Sequence, residues 1–162
     1  MAEASFDVVS EYNQQELLNA LDQARREIGT RYDFKGTNST IELKEKALEL
    51  DADSDYKLTA MLDILKSKMV KRQVDLKVLD PEKPEPAAKG RVRQKVNLQA
   101  GISDDIARDI VKRIKGQLPK VQSRIEGDKV RVSSKSRDDL QAAIKLIKES
   151  EIAIPLQFTN YR

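Results

Sequence analysis

Five consecutive residues, Arg31-Tyr32-Asp33-Phe34-Lys35, place two cations, a carboxylate and two aromatic rings in one short segment. Such a set can hold phosphate on Arg31 or Lys35, accept a guanine edge on Asp33 and stack a base on a ring. Alternation competes with that chemistry. A period of two makes the segment a strand with Tyr32 and Phe34 in the core and the charges in water. A second basic group lies further on. Val121, Ser123 and Ile125 alternate with Gln122, Arg124 and Glu126, and beyond Gly127-Asp128 the residues Val130 and Val132 alternate with Lys129 and Arg131. Arg124, Lys129 and Arg131 are therefore expected on one open sheet face, with Lys135 and Arg137 just beyond. Guanidinium forks match phosphate oxygens bidentately. The competing reading is an ordinary charged surface balanced by Glu126, Asp128 and Asp138.

Much other chemistry is excluded. The 162 residues contain no cysteine and no histidine, which removes disulfides, thiolate nucleophiles, Ser-His-Asp triads and standard zinc sites. The six glycines are isolated, so neither a P-loop nor a Gly-x-Gly-x-x-Gly cradle is present. No carboxylate pair stands out as a catalytic acid and base. No catalytic residue, metal or cofactor is assigned. Lys129–Ser133 lacks the aromatic residues of an RRM stacking platform. No apolar run approaches the length of a membrane span, and Met1–Phe6 has no signal-peptide character, so a cytoplasmic location is expected.

Charge is uneven. Residues 1–80 hold 12 Lys/Arg and 16 Asp/Glu, whereas residues 81–162 hold 18 Lys/Arg and 11 Asp/Glu, net charges of −4 and +7. A basic second half suits an anionic partner such as a nucleotide or RNA.

The elements that must position these residues follow from hydrophobic spacing. Ser5–Ser10 reads as a strand. Asn13 with Glu16 makes a capping box for a helix carrying Leu17, Leu21, Ala24 and Ile28. Ser39–Leu43 and Ala47–Leu50 are strand-sized runs, either a hairpin or one bent strand. Ser54 or Asp55 starts a helix with Leu58, Met61, Leu62, Leu65 and Met69 on one stripe. Val74, Leu76 and Val78 alternate as a strand. Residues 81–90 hold three of the five prolines and read as a linker. Beyond it come a strand at Lys95–Gln99, a helix capped by Ser103, a hairpin closed by Gly127-Asp128, a helix capped by Ser136 and a closing strand at Pro155–Thr159.

Both halves thus run strand, helix, strand, strand, helix, strand. Ser54–Lys66 also overlays Ser136–Lys148 with Ser, Leu, Ala and Lys coincident and the apolar positions in phase. The fold class is α+β: two tandem ferredoxin-like βαββαβ repeats, residues 1–80 and 91–162, each a four-stranded antiparallel sheet with two helices on one face. Each repeat is marginal in size, so residues 91–162 alone are expected to be much less stable than the whole chain.

An ordered set of segments resembles the YajQ family of bacterial proteins. In the first half these are Ser5-Phe6-Asp7-Val8-Val9-Ser10-Glu11, Arg31-Tyr32-Asp33-Phe34-Lys35, and Asp63-Ile64-Leu65 with Lys71-Arg72. In the second they are Lys120-Val121-Gln122, Gly127-Asp128-Lys129-Val130-Arg131-Val132, Ser136-Arg137-Asp138-Asp139-Leu140-Gln141 and Pro155-Leu156-Gln157-Phe158-Thr159-Asn160-Tyr161-Arg162. The resemblance implies first strands exchanged between the two domains and nucleotide binding without enzymatic activity. It implies cyclic di-GMP as a ligand, with GTP, ATP or tRNA also attributed to the family, and a transcription regulator as a protein partner. With it, the nucleotide-binding residues are expected among Arg31, Asp33, Phe34, Lys35, Arg124, Arg131, Lys135, Arg137, Phe158 and Arg162. Phe34 or Phe158 would stack a guanine while Lys35 and the arginines hold phosphate. The alternative is an RNA-binding protein using the basic face of the second repeat.

Overall fold

The computed structural model describes residues 3–162. In chain order the elements are β1 (Ala4–Val9), α1 (Gln14–Thr30), β2 (Thr40–Lys44), β3 (Ala47–Ala52), α2 (Asp55–Lys71), β4 (Leu79–Pro81), β5 (Glu85–Pro86), β6 (Val92–Leu98), α3 (Asp104–Gln117), β7 (Gln122–Glu126), β8 (Lys129–Ser134), α4 (Arg137–Glu149) and β9 (Gln157–Thr159). Among the described residues the four helices start where the sequence places their caps. The side chains of Asn13, Ser54, Ser103 and Ser136 accept from the backbone N–H groups of Glu16, Lys57, Ile106 and Asp139, satisfying donors that the first helical turn leaves without partners.

The chain divides into two compact units, Tyr12–Gln99 and the segment through Glu11 together with Ala100–Arg162. In the Tyr12–Gln99 unit the strands run β2-β3-β6-β4, all antiparallel, and β5 also pairs with β6. Its core joins Leu17, Leu21, Ala24 and Ile28 of α1 to Leu58, Met61, Leu65 and Met69 of α2 and to Leu48, Leu50 and Val96 of the sheet. In the other unit the order is β7-β8-β1-β9, again antiparallel. Phe6 and Val8 of β1 pack there with Val130, Val132, Ile110, Ile114, Ala143 and Ile147.

Both sheets have the ferredoxin-like order, and the strand that opens each repeat lies in the sheet of the other. β1 sits between β8 and β9, while β6 sits between β3 and β4. Residues 91–162 therefore lack a central strand of their own sheet and carry one whose partners lie in the first repeat.

The expected strand at Arg31–Lys35 is instead a single 3-10 turn over Tyr32–Phe34. The Phe34 N–H donates to the Arg31 carbonyl at 3.2 Å and the Lys35 N–H to the Tyr32 carbonyl at 3.1 Å. Five alternating residues with no neighbouring strand are better satisfied by local bonds than by an open ladder. The turn separates the two aromatics: Phe34 is 5% exposed and Tyr32 is 88% exposed. The alternation at Val74–Val78 likewise becomes a 3-10 turn over Leu76–Val78, capped by the Asp75 carboxylate on the Lys77 N–H at 2.8 Å, before the short β4. The proline-rich segment is in part ordered, with Glu85 and Pro86 opposite Arg93 and Val92. Pro86 needs no N–H at this edge position.

The two runs after residue 38 form a hairpin, β2 with β3. Its loop, Glu45-Lys46, matches Gly127-Asp128 between β7 and β8. Glu45 and Gly127 take φ values of +54° and +62°, the left-handed start that tight hairpin loops require.

Candidate functional site

The 3-10 turn that follows α1 is fastened by charge. Arg31 Nε and Nη2 donate to Asp33 Oδ1 and Oδ2 at 3.0 and 2.8 Å, and Arg31 Nη1 lies 3.6 Å from Glu27 Oε2. The hydrogen bonds from Arg31 hold the Asp33 carboxyl below its ordinary value, and those to Asp33 raise the Arg31 guanidinium. Lys57 Nζ donates to the Asp33 carbonyl. Lys57 Nζ and the Arg31 guanidinium carbon stand 5.2 and 5.6 Å from the centre of the Phe34 ring, within cation–π range. Asp33 and Arg31 thus satisfy one another.

Beside this turn opens a cavity of about 500 Å³, walled by Phe34 and by Arg25, Lys35, Asn38, Ser39 and Thr40 among others. Arg25 is positioned by its own hydrogen bonds, with Nε and Nη2 on the Ile41 carbonyl at 3.0 and 2.7 Å. Lys35 is exposed, and among the described residues it has no ion-pair partner. The wall therefore offers one uncommitted ammonium, a second cation, the Glu42 carboxylate, hydroxyls, an amide and a small part of the nearly buried Phe34 ring. That is the mixture of apolar surface and convergent polar groups found in small-molecule sites.

The open face of β7, β8 and β1 carries the other expected cluster. Arg124 and Arg131 lie directly opposite one another, an arrangement that like charges disfavour unless acids intervene. Glu126 and Asp7 do so. Arg124 Nε is 2.8 Å from Glu126 Oε1, and Arg131 Nε is 3.0 Å from Asp7 Oδ1 and 3.7 Å from Glu126 Oε2. Lys129 Nζ is 3.7 Å from Asp7 Oδ2, which also accepts from Asn160 Nδ2 at 3.0 Å. Burial pushes the Asp7 carboxyl up, but the hydrogen bonds from Arg131 and Asn160 and the charges of Arg131 and Lys129 outweigh it, so the net shift is downward. Three cations here meet two carboxylates, which leaves little net charge for a polyanion. A cavity of about 320 Å³ beside them is lined by Arg124, Arg131 and Glu3 together with Ser5, Gln122, Ser123 and Ser133.

Sequence reasoning missed Asp7, which is 2% exposed. The available signal was its place on the polar face of an otherwise apolar strand. Its partner Arg131 is 124 residues away in sequence.

The ten expected residues are divided between the two units. Arg31, Asp33, Phe34 and Lys35 belong to the Tyr12–Gln99 unit, and the other six belong to the second unit. Within that unit, register puts Phe158 opposite Val8, on the helix-covered face and away from Arg124 and Arg131. Its ring meets Phe6 edge-on at 5.7 Å, and Lys148 Nζ lies 5.7 Å from its centre. Arg137 and Arg162 line a third cavity of about 310 Å³. Lys135 is exposed in the loop between β8 and α4 and lines none of these three cavities. Among the described residues no group of three or more Asp and Glu side chains could hold a metal ion, and no helix is long and apolar enough to cross a membrane.

Two tandem ferredoxin-like units with cation-lined cavities define a class of small α+β protein. The chain belongs to the YajQ-like nucleotide-binding protein family, whose model matches residues 4–162. Similar proteins include one from Carboxydothermus hydrogenoformans, 53% identical over 160 residues, covering 98% of this chain and 97% of that protein. Another, from Synechococcus elongatus, is 50% identical over 159 residues and 98% of each chain. A third, from a Roseiflexus species, is 50% identical over 163 residues and 99% of each chain. All three bear the name nucleotide-binding protein.

Proposed function

We propose that this protein is a cytoplasmic, non-enzymatic receptor for a nucleotide, and that the ligand is cyclic di-GMP held in the cavity beside the Tyr32–Phe34 turn. The observation that carries this reading is the exposed, uncommitted Lys35 ammonium on the wall of a cavity of about 500 Å³ that also presents Arg25 and the Phe34 ring. Lys35 would take a phosphate oxygen, and Asn38, Ser39 and Thr40 offer polar groups for a base edge or ribose. Arg31 and Asp33, bound to each other, would hold the turn in shape. A transcription regulator is the protein partner this reading calls for.

The test is a calorimetric titration of the whole protein with cyclic di-GMP, GTP and ATP at about 0.15 M ionic strength. Micromolar or tighter binding of cyclic di-GMP, weakened about tenfold or more by Lys35→Gln, is the expected result, because a charged hydrogen bond is worth about 1.5–3 kcal/mol. Absence of heat with all three nucleotides would overturn it. RNA is the alternative outcome, and its signature would be affinity falling steeply with added salt as several phosphate contacts are lost. The pairing of Arg124, Lys129 and Arg131 with Asp7 and Glu126 argues against that outcome.

A further inference from the structure

A third cavity lies within the unit built from β1 and Ala100–Arg162. Its volume is about 310 Å³, and its walls include Phe6, Leu140, Gln141, Tyr161, Arg137 and Arg162. Three features separate it from an ordinary surface dent. First, it carries two arginines, Arg137 at the start of α4 and Arg162 beyond β9, both exposed and, among the described residues, without an ion-pair partner. Most other arginines of the molecule are paired: Arg31, Arg91, Arg93, Arg113, Arg124 and Arg131 all lie within 3.1 Å of a carboxylate. Second, Tyr161 is 61% exposed in a chain with only 4% aromatic residues. Its ring lies 6.0 Å from the buried Phe6 ring at a tilt of 41°, so one side has an apolar backing while much of the ring remains open to solvent. Third, the segment that bears it is held in place. Ser5 and Arg162 exchange two backbone hydrogen bonds at 3.1 and 2.9 Å, which ties Arg162 to the sheet.

We infer that this cavity is a second ligand site, which takes a single purine nucleoside monophosphate. An open tyrosine face is a stacking surface for a planar base. Two uncommitted guanidinium groups suit a phosphate with more than one charge, for which Arg forks are well matched. Gln141 adds an amide that can both donate to and accept from a base edge. The volume lies at the small end of the range for ligand cavities, which favours one nucleotide unit over a dinucleotide. The inference rests on the nucleotide reading above but places its ligand in the other unit, on residues that take no part in the Lys35 cavity.

The experiment is equilibrium binding of GMP, AMP and inorganic phosphate to the whole protein and to the variants Tyr161→Ala, Tyr161→Phe, Arg162→Gln and Lys35→Gln, with cyclic di-GMP titrated alongside. GMP or AMP should bind. Tyr161→Ala and Arg162→Gln should each weaken that binding about tenfold, Tyr161→Phe should retain it, and Lys35→Gln should leave it unchanged. Loss of monophosphate binding in Lys35→Gln would assign the ligand to the other cavity and overturn the inference. So would inorganic phosphate binding as tightly as GMP with no effect of Tyr161→Ala. Binding of cyclic di-GMP without any monophosphate binding would refute this site alone. Failure of every nucleotide to bind would refute both readings together.

Discussion

Replacing Asp7 with asparagine should expose how much the second unit depends on one carboxylate. The side chain is 3% exposed and accepts from Arg131 Nε and Asn160 Nδ2, each at 3.0 Å. Asparagine has the same shape, so no cavity opens. Its amide can offer one oxygen to one donor, but its NH₂ then faces the other. The loss is one charged hydrogen bond, about 1.5–3 kcal/mol, together with part of the cost of a badly placed donor. Breaking a fully buried pair costs about 3–5 kcal/mol, but Arg131 keeps 24% of its side-chain exposure and Glu126 at 3.7 Å. The expected destabilisation is therefore about 2–3 kcal/mol, read from urea unfolding at pH 7 with the denaturant slope unchanged. The effect should also depend on pH with a definite sign. The folded carboxyl titrates below its ordinary value of 3.8. Its contribution is therefore full above that value and is lost as pH falls through the lower folded pKa. The gap between the native protein and Asp7→Asn should narrow once the pH drops below about 4. A gap under about 0.5 kcal/mol at pH 7, the size of an ordinary surface change, or one that does not change down to pH 3, would refute the reasoning.

Other expectations follow from the same physical accounting. Glu45→Gly should stabilise the β2–β3 hairpin by about 0.5–1 kcal/mol in urea unfolding, because a side chain at φ +54° sits in a region that costs L-residues about 1–2 kcal/mol and glycine's extra unfolded-state entropy offsets only part of that. Ser10→Ala should raise stability by about 1 kcal/mol, since Ser10 is 2% exposed and its Oγ has no hydrogen-bond partner among the described residues. A loss of stability would reveal a partner for that hydroxyl. Residues 91–162 made as a fragment should show no cooperative thermal transition because β1 is missing from the sheet, whereas residues 12–99 should melt cooperatively by circular dichroism. A cooperative melt of the 91–162 fragment would contradict the strand order.

Local structure was largely legible. The caps at Asn13, Ser54, Ser103 and Ser136 and the apolar stripes of the helices depend on spacing within a few residues, and the structure keeps them. The Gly127-Asp128 loop announced its hairpin because glycine relieves the left-handed turn. Glu45-Lys46 makes an equivalent loop without glycine, so the sequence left β2 and β3 open between a hairpin and a bent strand. Short alternation misled at Arg31–Lys35 and Val74–Val78, since a period of two over five residues does not say whether a partner strand exists.

For the candidate sites the division is similar. Alternation along β7 and β8 was enough to put Arg124, Lys129 and Arg131 on one face. Glu126, which neutralises Arg124, was legible in the same alternation, whereas Asp7, which holds Arg131 and Lys129, was not, because it arrives on a strand from the other end of the chain. The same long-range pairing turned Phe158 to the helix side and tied Arg162 to Ser5 beside a cavity. The residues alone determined the helices and their caps, the repeated order of elements, the exclusion of histidine and cysteine chemistry and the basic character of the second half. Only the tertiary structure decided how strands far apart in the chain lie side by side and which cations remain unpaired. Backbone periodicity and capping are short-range properties of the chain, whereas the placement of β1 and the compensation of Arg131 by Asp7 depend on residues more than a hundred positions apart.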